Sequence, residues 1–192
     1  MSDSEAYSFV FRGLLTEEAL DRVGRVSSFS RRTDFAVIRT LLGIDVIDEQ
    51  HVVAADRMSQ VYVAIAAFEN SVRELVCGVL HEAHGDGWWA KCVQPNIRND
   101  AEQRMENEEK VRWHVQRGSV PINYTMIGDL LSVILKNFDD FEPFLHDREW
   151  AKHIFDMIEK SRNVIMHCGE LSNRDMARIG SAIKDWNSQV AL

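Results

Sequence analysis

The amino-acid sequence predicts an all-α protein, an antiparallel helical bundle with a short N-terminal appendage. Three observations predict it. Three prolines and ten glycines in 192 residues leave too little punctuation for a sheet of many short strands. Apolar residues recur at spacings of three and four through the long segments. Side chains able to cap a helix stand at the starts of several of those segments. A chain of this size forms one domain with a real core; here the bundle is expected over residues 48–192, with residues 1–47 as a segment of different composition.

The elements follow in order. "YSFVFRG", residues 7–13, has the composition of a short strand, and "LTEEALDRV", residues 15–23, that of a helix capped by Thr16 with Leu15 and Leu20 as a hydrophobic staple. "DFAVIRTLLG" reads as a helix closed by Gly43. From Asp48 to His84 the spacing of Val61, Ile65, Phe68, Val72, Leu75, Val76 and Leu80 predicts one long helix. "HGDGWW" breaks it, and Trp88 and Trp89 open a short amphipathic piece. The charged stretch from Asn96 to Gly118 predicts a helix exposed over most of its surface. After a break at Pro121, "INYTMIGDLLSVILKNF" is a further helix, and "FEPFLHD" a connector. Asp147 caps the helix Arg148 to His167, for which Gly169 is the expected left-handed stop, one residue beyond a cap at Cys168. The last helix starts at Ser172, with Asp175 completing a capping box and Leu171 stapling to Met176.

Composition narrows the function classes. The longest apolar run, "VYVAIAAF", is too short to span a bilayer, and "MSDSEAYSFVF" lacks the pattern of a signal peptide. A cytoplasmic protein with no membrane association is expected. Cys77, Cys92 and Cys168 have no paired spacing and read as reduced thiols. A formal charge of −8 argues against sequence-blind coating of nucleic acid, but leaves room for contact with RNA at one small site. Arg25, Arg31, Arg32 and Arg39 face only Asp34 in their stretch; such a patch is either a solvated face or a phosphate contact. "HEAH", His81 to His84, falls one residue short of a zinc-protease motif and reads as a helix end, so no metal is expected. The tryptophans and phenylalanines, at helical spacing and without a basic stripe, read as core and not as base-stacking platforms.

The segment "EKSRNVIMHCGELSNRD" carries the chemistry. At about 100° per residue, Trp150, Ile154, Met157, Ile158 and Ile165 share one face. Arg162 projects at the margin of that face, where a guanidinium needs a path to water or a partner. His167 falls about 140° away on an ideal helix, so the two converge only if the last turn unwinds or a two-fold copy supplies the second group. On the long central helix Glu69 stands inside the apolar sector, where a carboxylate should be paired or protonated. Arg73, one turn on, is its local partner and Arg162 the distant one; a structural ion pair and a catalytic group are both open readings.

"RNVIMH", Arg162 to His167, matches the R-x-x-x-x-H motif of HEPN domains, with the favoured polar residue, Asn163, directly after the arginine. The order of "FENSVRELV", "GDGWWAK", "INYTMIGDLLSVILKNFDDFEPF" and "RNVIMH" resembles Swt-type HEPN domains over about residues 48–190. The resemblance implies a helical bundle that dimerises with its motifs near the dimer axis. Many such domains are metal-independent endoribonucleases; others bind or assemble without cutting. Carried over, Arg162 and His167 are the catalytic pair and Asn163 their polar helper, while Glu69 joins them from its wheel position alone. No cofactor is implied. The expected partners are an RNA substrate, a second copy of the chain, and an antitoxin or other partner protein in a stress-response or phage-defence setting. The alternative is a non-catalytic HEPN module for dimerisation, or for RNA or nucleotide binding. Residues 1–47 could regulate the bundle by covering its site or binding a partner.

Two departures stand out. Gly169 occupies the position of a tyrosine that is modified in HEPN toxins controlled by a nucleotidyltransferase antitoxin, which argues against that control here. Met166 is bulkier than the residue common before the motif histidine.

Overall fold

In a computed structural model of the chain, the structure describes Thr16 and residues 28–145 and 147–190, with the side chains of residues 28–34 left aside. The strand expected at residues 7–13 and the helix at residues 15–23 lie outside the described residues, apart from Thr16, which is helical. Arg25 and the side chains of Arg31 and Arg32 lie outside them too. Every regular element among the described residues is helical.

The chain divides into two compact units, residues 1–53 and 54–192. In the first, α1 (Ser28–Leu41) ends at Gly43, whose left-handed backbone (φ 63°) lets its N–H reach the Thr40 carbonyl at 3.1 Å. A single 3-10 turn, Ile44–Val46, follows.

The second unit is a bundle around the long helix α2 (Glu49–His84), whose first five residues belong to the first unit. Its buried positions Met58, Val61, Ile65, Phe68, Val72, Val76, Val79 and Leu80 keep the expected three-and-four spacing. After the 3-10 turn Gly85–Gly87 come α3 (Trp88–Cys92), α4 (Pro95–Glu109), a 3-10 turn Pro121–Tyr124, α5 (Ile127–Lys136), α6 (Phe138–Phe141), α7 (Arg148–Met166) and α8 (Asn173–Val190). Phe68 of α2, Phe155 of α7 and Trp186 of α8 meet edge to face at 5.4–5.9 Å. Each such aromatic pair is worth about 1 kcal/mol beyond its buried area. Beyond that cluster the Leu171 N–H reaches Met58 Sδ at 3.3 Å, so α7 runs antiparallel to α2.

Two expectations are corrected. The helix expected to reach Gly118 stops at Glu109: residues 110–120 are irregular, and Val111, Trp113 and Val115 are exposed, so no apolar face holds a further turn onto the bundle. The helix expected from Ile122 starts only at Ile127, because Pro121 opens a 3-10 turn and Asp129 accepts from the Met126 N–H at 2.8 Å to begin the helix there. Local capping fares better. Asp147 accepts from the N–H groups of Glu149 and Trp150, and Ser172 and Asp175 form the reciprocal box ahead of α8.

Candidate active-site cleft

The site grows from one face of α2. Tyr62, Ala66, Glu69 and Arg73 follow each other at helical spacing and line a cleft of about 230 Å³, closed on the other side by Arg162, Ile165 and Met166 of α7. Glu69 is 9% exposed and is not left alone. Arg73, one turn on, donates to its Oε1, and Arg162 pairs with its Oε2 through Nε at 3.5 Å. The local and the distant partner anticipated from the helical wheel are therefore both present on one carboxylate.

The two arginines are used differently. Arg73 is spent on structure: it also donates to the Thr125 carbonyl at 3.1 Å and to Asn70 Oδ1 at 2.8 Å. Arg162, with its side chain 30% exposed, meets Glu69 with its Nε 3.5 Å from the carboxylate. Its two terminal nitrogens have no hydrogen-bond partner among the described residues, and Glu69 is the carboxylate it pairs with. Two guanidiniums on one carboxylate leave the cleft with a net positive charge, and the open fork of Arg162 has the geometry that two oxygens of a phosphate accept.

Asn163 and His167 are exposed and neither lines this cleft. His167 is the C-cap of α7 (φ −101°, ψ 24°), and its N–H closes on the Asn163 carbonyl at 3.2 Å. The stop of α7 corrects a further expectation. The left-handed residue is Cys168 (φ 59°), not Gly169. Cys168 N–H bonds to the Ile165 carbonyl at 3.0 Å and Gly169 N–H to that of Val164 at 2.8 Å, the double bond of a Schellman stop. Glycine is needed at 169 for a different reason: a Cβ there would sit 2.8 Å from Val164 Cγ1 and 3.0 Å from the Val164 carbonyl oxygen.

Tyr62 and Asn70 escaped attention in the sequence, although both share the turn-by-turn face that carries Glu69. At the other end of α2, His84 bonds to Asp140 at 2.8 Å. Among the described residues no three His, Cys, Asp or Glu side chains converge as a metal site would require. Cys77, Cys92 and Cys168 are free thiols. Among the described residues no helix is long and apolar enough to cross a membrane.

A family model described as Swt1-like HEPN matches residues 64–191, a stretch that holds Glu69, Arg73 and the rest of the cleft lining except Tyr62, and the whole R-x-x-x-x-H motif. No curated protein and no solved structure gave a match.

Proposed function

Because the chain belongs to the Swt1-like HEPN family, we propose that it is a metal-independent endoribonuclease working as a homodimer. The observation that carries this reading is the open fork of Arg162, held on a buried carboxylate at the mouth of a positively charged cleft. In the proposed reaction Arg162 binds the scissile phosphate and stabilises the charge that builds on its equatorial oxygens. The substrate's own 2′-hydroxyl loses its proton and attacks phosphorus, and the 5′-oxygen leaves and is protonated. The products are a 2′,3′-cyclic phosphate and a 5′-hydroxyl. His167 of the second copy serves as the proton carrier, since a histidine exchanges protons readily near neutral pH. Asn163, exposed and outside the cleft of its own chain, is the polar helper of the pair. Glu69 acts as a positioning residue, fixing the guanidinium through Nε so that the fork faces outward.

The second reading is a non-catalytic module for assembly or for RNA or nucleotide binding. It is favoured by the Glu69–Arg162 ion pair itself, which a purely structural helix contact would also make. The setting, whether stress response, phage defence or control by an antitoxin, belongs to the proposal and not to the fold. So does a boundary near residue 48 that separates a regulatory N-terminal segment from the nuclease.

Cleavage of end-labelled single-stranded and structured RNAs in EDTA tests the reading. The wild type is expected to leave cyclic phosphate ends, with Arg162→Ala and His167→Ala each slower by at least about 100-fold. Mixing the two variants with subunit exchange should restore about a quarter of wild-type activity, because half the dimers then hold one intact site of two. Folded, dimeric wild type that cuts nothing would move the assignment to the assembly module.

A further inference from the structure

The irregular segment after α4 presents a feature that the cleft does not use. Residues Val111–His114 make a tight turn, with the His114 N–H on the Val111 carbonyl at 3.2 Å, and this puts Arg112 and Trp113 at its tip. Trp113 is 85% exposed, against the core position expected of the tryptophans. Its ring stands edge to face with His114 at 5.6 Å, and His114 is itself held by Nδ1–H donating to the Val115 carbonyl at 2.8 Å. The indole is thus displayed and oriented at once.

The charge within the turn segment itself is one-sided, the nearest acids, Glu108 and Glu109, standing at the end of α4. Residues 110–121 contain Lys110, Arg112 and Arg117 and no acidic residue, in a chain of net charge −8. Arg117 anchors the base: its Nε pairs with Glu108 at 2.6 Å and its guanidinium lies over the Tyr124 ring at 5.6 Å. The Arg117 backbone N–H on Glu108, together with the guanidinium charge, holds that carboxyl below its usual range, so the anchor stays ionised at neutral pH. Arg112 has no carboxylate or hydrogen-bond partner among the described residues.

The turn is also tied to the cleft. Tyr124 donates its hydroxyl proton to the Gly118 carbonyl at 3.2 Å, and the next residue, Thr125, receives Arg73 from the cleft wall. We propose that the Val111–His114 turn is a platform for single-stranded RNA, with Trp113 stacking on a base and Arg112 and Lys110 meeting phosphates, on the same strand that the Arg162 cleft takes up. This rests on the reading of RNA as substrate. A stacking aromatic takes any unpaired base, while the bases of a duplex are already stacked on each other. A protein partner is the competing occupant of a tip that also exposes Val115; Arg112 beside Trp113, and the absence of acid within residues 110–121, where Glu108 is already paired with Arg117, favour the polyanion.

The test is fluorescence anisotropy of a labelled single-stranded 2′-O-methyl oligonucleotide with the full chain, beside its duplex. The methyl groups remove the nucleophile, so binding is read apart from cleavage. Trp113→Ala is expected to weaken single-strand binding about tenfold and Trp113→Phe less than about threefold, with the duplex indifferent to both. Arg112→Ala should reduce the slope of log affinity against log salt by about 0.7. Equal binding by wild type and Trp113→Ala, or an equal loss on the duplex, overturns the platform. Absence of oligonucleotide binding by the wild type does so too, and leaves the turn to a protein partner. Ordinary RNA separates the two readings: cleavage with Trp113-independent binding sinks only the platform, and Trp113-dependent binding without cleavage sinks only the nuclease.

Discussion

Arg162 and His167 stand five residues apart at the end of α7 and are held by opposite means. Arg162 is placed by tertiary structure: a carboxylate on another helix, nearly a hundred positions earlier, fixes its Nε. His167 is placed by its own neighbourhood, through the backbone bonds that end the helix, and its side chain has no hydrogen-bond partner among the described residues. One half of the motif is thus preorganised inside a single chain and the other is offered outward. Such a division suits a site completed by a second copy, and it says where each half is vulnerable.

The cleft should be the more fragile half. Glu69→Ala strands Arg73 and Arg162 against each other, and is expected to destabilise the fold by about 2 kcal/mol, less than a fully buried pair because both arginines reach solvent. For a domain of this size that is a fall in Tm of about 4–8 °C by calorimetry. Arg162→Ala should cost far less, because Arg73 still neutralises the carboxylate. Equal losses from the two variants would break the comparison.

The helix end should respond through the backbone alone. Gly169→Ala meets Val164 and is expected to lower stability by about 1 kcal/mol. Cys168→Gly removes a side chain from a left-handed residue and should raise stability by about 0.5 kcal/mol, a gain trimmed by the entropy of glycine in the unfolded chain. Chemical denaturation of both, read beside cleavage, sharpens the point: a Cys168→Gly variant that is more stable yet less active would show that the position of His167 depends on this strained stop.

The smallest effect lies one turn further on. Hydrogen bonds from Ser172 hold the Asp175 carboxyl below its ordinary range. A depressed carboxylate stabilises the fold above its unfolded pKa of about 3.9, and that contribution disappears as pH falls through the lower folded value. Ser172→Ala should therefore lower stability at neutral pH, where that contribution is full, and flatten the profile through the acid window, below which only the lost cap separates it from wild type. An unchanged acid slope would remove Asp175 from the account.

What could be read in advance was local or periodic. The caps at Asp147 and Ser172, the stop at Gly43 and the buried stripe of α2 follow from hydrogen bonds and spacings a few residues long. The misplaced elements fail for the same reason. Charged residues 110–118 have helical propensity, but propensity without an apolar face gave way, and Trp113 was left outside. At the end of α7 the shape of the stop was legible and its left-handed residue was not, because the close approach to Val164 reserves the glycine for position 169.

For the site, the residue types, the motif spacing and the impossibility of Arg162 and His167 converging on one ideal helix are properties of the chain itself. So is the need of Glu69 for a partner or a proton, since an ionised carboxylate in an apolar sector does not stand unpaired. Which cation it takes, and with which nitrogens, is decided by the antiparallel approach of α2 and α7. That approach gives one oxygen to Arg73 and the other to the Nε of Arg162, leaving a fork open. Helical periodicity says which way a side chain points; only packing says what it meets.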